Sequence, residues 1–151
     1  DAAARPPFQL YALQGDHKHV PEIQQHANLA RAPLFVPSYG AYAQGIVLSI
    51  ALHRQLLPDD ATPGRVQEAL RQHHAASGAV QVLSLAESAA LSHLDPRALN
   101  DTDQLRLMVF EDQSGTQILL AAVLDNLGKG AAGAAVQNLG LMLGIDGRPA
   151  G

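Results

Sequence analysis

The 151-residue chain contains no cysteine at all. This removes a thiol nucleophile, a disulfide and a thiolate zinc site from anything these residues do by themselves, and it fits a reducing compartment, so the cytoplasm is the expected location. Neither charge sign dominates: ten Lys and Arg against fourteen Asp and Glu give a formal net charge of -4. No block of basic residues is present, which argues against nucleic acid or an anionic membrane surface as partner. No apolar run approaches the roughly 20 residues needed to span a bilayer, and no signal peptide is recognised. Internal repeats are missing too, and low complexity is confined to alanine-rich stretches. The hydrophobic fraction of 47% is enough for one domain with its own core, whereas two independent domains are not expected at this length. The first residue is Asp1, and Asp1–Pro7 (DAAARPP) reads as a linker, so the chain is expected to be a piece of a longer protein.

The chain is organised around 119–144, LLAAVLDNLGKGAAGAAVQNLGLMLG. An apolar run from Ile118 to Leu124 meets Asp125 and Asn126, both helix-capping types, and then a glycine- and alanine-rich segment, which reads as strand, turn and helix. Gly128, Gly130 and Gly133 spell GxGxxG in that setting. A dinucleotide fingerprint, however, requires a second parallel strand with an acidic residue roughly 20 positions on. No such strand follows here, so a Rossmann phosphate loop is rejected. Instead, Gly130 to Ala135 give the first helical turns almost no side chains, so that another backbone, domain or flat ligand can approach closely. An alanine-rich helix packed in its own core is the competing explanation.

A second chemical stretch is Gly15 to Ile23, GDHKHVPEI. Pro21 suits the first position of a helix and Glu22 complements its dipole, so a helix is expected from Pro21 to about Ala30, preceded by a loop holding Asp16, His17, Lys18 and His19. Two histidines two apart, with Asp16 or Glu22, have metal-ligand character, but too little chain separates His19 from Glu22, and no metal is assigned. A polar loop that only hydrogen-bonds to its neighbours also fits. A histidine held before a helix is well placed for general acid-base work, because its unperturbed pKa is about 6.5.

The remaining chain reads as follows. Phe8 to Leu13 and Leu34 to Val36 are expected strands, Pro37 to Gly40 a turn, and Tyr42 to Leu52 a long strand apolar on both faces and hence buried on both. A helix is expected from Thr62 and Pro63 to about Ala76, a half-buried strand from Val80 to Leu85, and an irregular or helical stretch from Glu87 to Leu99 broken by Pro96. Leu105 to Glu111 and Gln117 to Leu124 are strands joined by the DQSGT hairpin, with Gly115 taking the special dihedral. His26, His53, His73, His74 and His93 read as surface or packing residues. Six strands and three helices without strict alternation give an α+β domain, a mostly antiparallel sheet with helices on one face.

Four segments carry a family resemblance, in order: GDHKHVPEI, FVPSYGAYAQG, LDPRALNDTDQLRLMVF and DNLGKGAAGAAVQNLGLMLG. Together they resemble N-acetyl-gamma-glutamyl-phosphate reductases of the shorter form, and less closely aspartate-semialdehyde dehydrogenases, both with a glyceraldehyde-3-phosphate dehydrogenase-like catalytic domain. The resemblance implies an NADPH-dependent reduction of N-acetyl-glutamyl phosphate to the semialdehyde in arginine biosynthesis. A cysteine of the nucleotide-binding domain attacks the acyl phosphate, phosphate leaves, and hydride reduces the thioester.

HKHVPEI is similar to the family's HRHxPEI, which makes His19 the acid-base residue and His17 a neighbour that shapes the substrate pocket. Lys18 stands where arginine is frequent. Gln44 precedes Gly45 where many members have arginine, and it is carried over with Ser38 as substrate-binding. Ser38 and Tyr39 also suit plain turn residues. Asn126 falls where related dehydrogenases hold the nicotinamide carboxamide, with Lys129 and Gly130 near NADP. The resemblance further implies that helix 126–144 packs on an NADP-binding domain and that the free sheet face joins a second subunit. Lacking cysteine and nucleotide fold, the chain alone is expected to show no reductase activity. A stand-alone association or substrate-binding domain is the alternative.

Overall fold

A computed structural model describes residues 6–145. The chain divides into two compact units, Asp1–Ala43 and Gln44–Gly151. Of the linker expected at Asp1–Pro7, residues 1–5 lie outside the described residues.

In the first unit, strand β1 (Phe8–Leu10) pairs antiparallel with β2 (Ser38–Gly40), with Leu10 opposite Ser38. Both differ from the sequence expectation. β1 stops before Leu13 because the backbone turns at Ala12 (φ 51) and again at Gly15 (φ 73). Leu34–Val36 forms no ladder, and the strand falls instead on the expected turn at Ser38–Gly40. Pro37 has no N–H to donate, so pairing starts at Ser38 just beyond it, and Pro37 contributes its carbonyl to Tyr11 N at 3.1 Å.

Helix α1 runs His19–His26, starting two residues before Pro21. Pro21 sits in the first turn, where a missing N–H costs nothing because those N–H groups lack intrahelical partners. The helix ends short of Ala30. Asn28 turns left-handed (φ 51), and Leu29 N bonds back to Gln24 O at 2.9 Å, closing a Schellman cap.

The second unit is built on a four-stranded sheet. Its strands are β3 (Ile46–His53), β4 (Val80–Val82), β5 (Leu105–Glu111) and β6 (Gln117–Leu124). Their spatial order is β3-β6-β5-β4. The β3–β6 and β5–β6 pairs are antiparallel and β4–β5 is parallel, so the sheet is mostly antiparallel in an α+β unit, as the sequence indicated. β5 and β6 match their expected bounds. The intervening turn places Gly115 at φ 68, and Asp112 accepts from Gln117 N at 2.7 Å.

β3 begins at Ile46 rather than Tyr42, because Gly45 has φ 108 and breaks the extended run. It is also an edge strand and exposed along nearly its whole length, contrary to the expectation of burial on both faces.

Helix α2 (Pro63–His73) opens at Thr62, whose hydroxyl accepts from Arg65 N at 3.2 Å, and ends before Ala76. β4 stops at Val82 because Ser84 and Glu87 form a reciprocal capping box that starts α3 (Leu85–Ala89), a helix beyond the three expected. α2 and α3 pack against β5. Period-two alternation puts Met108, Ala121 and Val123 on one sheet face, where they join Leu83 and Leu99, with Leu94 and Phe110 packed alongside. Met108 and Val109 are 1% exposed, and burying each such side chain contributes about 1.5–3 kcal/mol.

After β6 the chain makes a π-helical turn at Gly128–Ala132 and continues into α4 (Gly133–Met142), which ends where Gly144 takes φ 66 and Ile145 N bonds to Gly140 O. The expected strand, glycine turn and helix are therefore present, with a wider first helical turn.

Candidate functional site

Two groups of sequence-predicted residues form, one in each unit. In the first unit, His17 precedes α1 and His19 is its first helical residue, not a loop residue. The backbone N–H of His19 donates to His17 Nδ1 at 3.1 Å. The ring nitrogen of His17 thus satisfies one of the orphan donors of the helix start, and in the neutral ring the proton lies on Nε2.

Around His17 stand Tyr11 (ring centroids 5.6 Å), Phe35 (5.0 Å) and His19 (4.7 Å), all at steep interplanar angles. Tyr39 stacks on Tyr11 at 4.4 Å. Burial first, then the hydrogen bond and charge of Tyr39, push the Tyr11 phenol above its usual range, so it stays an O–H donor at physiological pH.

His19 Nε2 lies 3.9 Å from Glu22 Oε2, one helical turn on, with side-chain exposures of 49% and 59%. An ion pair so exposed is weak. What it provides is a solvent-accessible imidazole with a carboxylate beside it, a composition suited to proton transfer. Ser38 heads β2 and is exposed. Among the described residues, no three His, Asp or Glu side chains converge as a metal site.

In the second unit the centre is a residue that sequence reasoning treated only as a helix cap. Asp125 is 2% exposed. Its Oδ1 accepts from Leu127 N at 2.8 Å, and its Oδ2 accepts from Asp101 N at 2.8 Å and from Gln44 Nε2 at 3.2 Å. The Leu127 N–H above all, with those of Asp101 and Gly128, holds its carboxyl below the usual range against the opposing effect of burial.

Asn126 Oδ1 accepts from Gly45 N at 2.6 Å. Because only an oxygen can accept there, the amide orientation is fixed, and Nδ2 has no protein acceptor among the described residues. Gln44 also donates from Nε2 to Asp101 Oδ1 at 3.0 Å, while its backbone carbonyl accepts from Asn100 Nδ2 at 3.3 Å. Its remaining polar side-chain atom is therefore the acceptor Oε1. Gly45 has no room for a side chain: a Cβ would lie 2.2 Å from Pro96 O.

The π-helical turn follows directly. Gly130 N reaches back to Asp125 O at 2.8 Å and Ala132 N to Leu127 O at 3.2 Å, each five residues earlier. Lys129 Nζ donates to Gln137 Oε1 at 2.5 Å, and Gln137 Nε2 to Asp103 O at 3.3 Å, so the lysine lies along the helix. Gly130, Ala131 and Ala132 are exposed and present an almost side-chain-free surface.

The structure therefore brings His17 and His19 together in the first unit and Gln44 and Asn126 together in the second. Sequence reading missed Asp125, Asn100, Asp101 and Gly45. A local signal existed for Asp125, an acid ending an apolar strand two residues before its Asx-turn donor. The partners at residues 44 and 101 had none. A cleft lined by His53, Arg54, Gln55, Pro58, Asp59, Gly115 and Thr116 lies at the other end of the β3–β6 pair and holds none of the predicted residues.

Comparison with known proteins follows the same lines. Residues 2–126 match the family model described as semialdehyde dehydrogenase, dimerisation domain. The chain is similar to N-acetyl-gamma-glutamyl-phosphate reductase of Burkholderia orbicola (strain MC0-3), 59% identical over 145 residues, which is 95% of this chain and 46% of the relative. It is 54% identical over 143 residues to N-acetyl-gamma-glutamyl-phosphate reductase 2 of Pseudomonas putida, and 48% identical over 143 residues to the reductase of Rhizobium rhizogenes, with the same coverage of each. The chain spans about half the length of the curated relatives it matches.

Proposed function

Because the chain belongs to the semialdehyde dehydrogenase dimerisation-domain family, we propose that it is the catalytic and association domain of an N-acetyl-gamma-glutamyl-phosphate reductase, acting in the cytoplasm in arginine biosynthesis. The overall reaction takes an acyl phosphate, a hydride and a proton to an aldehyde and inorganic phosphate. NADPH supplies the hydride when bound. The chain supplies the proton and the pocket.

The observation that carries this reading is the His17–His19 pair. His19 Nε2 is open to solvent beside Glu22, while its own backbone is fixed by the His17 ring. His19 gives a proton to the developing alkoxide oxygen as hydride reaches the carbonyl carbon and takes it back as the intermediate collapses to the aldehyde and releases the thiolate; the same two transfers run backwards in the reverse direction. His17, pinned through Nδ1 and walled by Tyr11 and Phe35, offers Nε2–H to the substrate. Ser38 offers a hydroxyl to the phosphate. With its N–H groups already committed, Gln44 presents only an acceptor, which suits the amide N–H of an N-acyl substrate better than a charged oxygen.

Asn126, Lys129 and Gly130 are the residues assigned to the cofactor. The fit rests on the unpartnered Nδ2 of Asn126, a donor suited to an amide carbonyl, and on the bare surface at Gly130, both features of this structure. Lys129, engaged with Gln137, serves by holding the turn. The π-helical turn and α4, which stand where helix 126–144 was expected, pack on an NADP-binding domain outside these residues, and the thiol nucleophile must also come from outside them, so the chain alone is inactive. The exposed apolar β3 face joins a second copy. That same face favours a second reading, a domain that serves association alone.

Phosphate-dependent reduction of NADP by N-acetylglutamate semialdehyde tests the assignment in the natural-length protein, its His19→Asn variant and this chain. The variant is expected to lose roughly 10²–10⁴-fold in rate, and the chain alone to show none. Equal rates with and without His19 would remove the acid-base role. An inactive natural-length protein would leave the association reading.

A further inference from the structure

We propose that Asp125 is a positioning residue that, through Gln44 and Gly45, sets the amide of Asn126 for the nicotinamide carboxamide. This rests on the preceding assignment of Asn126 to the cofactor and adds how that side chain is aimed.

The geometry is a chain of single-direction hydrogen bonds. Asn126 keeps Nδ2 as its uncommitted amide atom only while Gly45 N holds Oδ1. Gly45 is itself clamped, its Cα against Pro96 O and its flanking residue Gln44 tied at both ends: the carbonyl by Asn100 Nδ2, the side-chain amide by Asp101 Oδ1 and Asp125 Oδ2. Asp125 closes the loop, since the same carboxylate binds Asp101 N and Leu127 N. Three segments distant in sequence, 44–45, 100–101 and 125–128, are thereby registered on one buried group adjacent to Asn126.

A carboxylate is a costly choice for that position. It is almost wholly buried, yet none of its described partners is a cation. Burying a charge without a countercharge is unfavourable unless every lone pair is used. What a carboxylate offers over a neutral amide is two oxygens that only accept. Both face donors here, so neither Gln44 nor the 125–128 turn can settle into a flipped arrangement. Asparagine in its place would set an NH₂ against Leu127 N–H or against Asp101 N–H and Gln44 Nε2. The side chain would keep its shape while the aim of Asn126 loosened.

The natural-length protein tests this with two probes of binding: NADPH, followed by its fluorescence, and 2′-phospho-ADP-ribose, which lacks the nicotinamide, followed by calorimetry. Asn126→Ala, Asp125→Asn and Gln44→Met are each expected to weaken NADPH roughly three- to tenfold, with binding of the nicotinamide-free probe unchanged. Asp125→Asn combined with Asn126→Ala should be no weaker than Asn126→Ala alone, because the first acts through the second.

Equal weakening of both probes, or additive losses in the double variant, would make Asp125 a merely structural group and overturn the proposal. NADPH binding unaltered in Asp125→Asn and Gln44→Met while Asn126→Ala weakens it would also overturn it. An Asn126→Ala variant that binds both probes normally would instead remove the cofactor assignment itself. Gln44→Met leaves the carboxylate in place, so it decides the matter if Asp125→Asn does not fold.

Discussion

Replacing Gly45 by alanine puts the second unit under the most direct steric test available. Three costs add at this position. The backbone φ of 108 lies in the region that L side chains rarely adopt, about 1–3 kcal/mol. The new methyl would sit 2.2 Å from Pro96 O, 2.7 Å from Pro96 C and 2.9 Å from Asn100 Oδ1, contacts with backbone and a part-buried amide, and overpacking of this kind costs about 1–3 kcal/mol. Moving the chain to relieve them breaks the 2.6 Å bond from Gly45 N to Asn126, about 0.5–1.5 kcal/mol. A total of about 2.5–7.5 kcal/mol is a large share of the ~5–15 kcal/mol that holds a typical domain together.

In urea, with a slope of about 2 kcal/mol/M, the midpoint followed by far-UV circular dichroism should fall by about 2 M. Gly115→Ala is the control. Gly115 has φ 68 in the same unit, but its nearest neighbour to a new Cβ is Glu111 Oε1 at 3.6 Å, so only the backbone term applies, about 1 kcal/mol and about 0.5 M. Equal shifts for the two variants would refute the close approach of Pro96 to Gly45, and with it the clamp on Asn126.

Two further outcomes follow from the geometry. Asp112, whose carboxyl is brought from 3.8 down to about 2 chiefly by the Ser114 hydroxyl and then by Gln117 N–H, contributes stability above its unfolded pKa and loses it as pH falls through about 2. Asp112→Asn should therefore be less stable than the parent at pH 6, and the gap should close between about pH 4 and 2 in thermal melts followed by circular dichroism; a gap independent of pH would contradict the assignment. At Gly133 a Cβ would land 1.7 Å from Asp103 Oδ1, so Gly133→Ala should cost about 1–3 kcal/mol. The double variant with Asp103→Ala should recover much of that loss in urea titrations, whereas strict additivity would show that the carboxylate yields freely.

What was legible in the sequence was whatever short range decides. The β5–β6 hairpin was readable because Asp112, Ser114 and Gly115 build their turn within five residues, and Thr62 with Pro63 marked the α2 start for the same reason. The spacing of His17 and His19 was readable as a pair. Its setting was not, since Pro21 signals a first helical position yet is equally tolerated two residues further in. β2 was misplaced because its pairing with β1, Leu10 against Ser38, is a contact across 28 positions that no local composition announces. The same reason hid the centre of the second unit. The partners of Asp125 on Gln44 and Asp101 are 81 and 24 residues away, and an isolated aspartate at a strand end looks like a cap whatever it binds. Gln44 was singled out by family pattern for a substrate, whereas its hydrogen bonds show its donors bracing Asp101 and Asp125.

The burial of β3 was inferred from its composition, IVLSIALH, and the composition still needs explaining now that the strand is found at an edge. Edge strands that end in solvent are ordinarily blunted by lysine, proline or a bulge, and β3 has none of these across its eight residues. Ile46, Leu48 and Ile50 alternate onto one face and stand 40%, 44% and 47% exposed, with Val47 on the opposite face at 37%. Against only a handful of fully buried side chains in the sheet, that is too much apolar surface for an uncovered strand. A helix of the same unit would cover one face and leave the edge. A second copy related by a two-fold axis covers a face with the same residues it offers, which asks no further complementarity of the sequence and accords with the dimerisation-domain family to which the chain belongs. The sequence pattern of a doubly buried strand and the exposure of the single chain are therefore compatible under the proposed pairing of this face with a second copy.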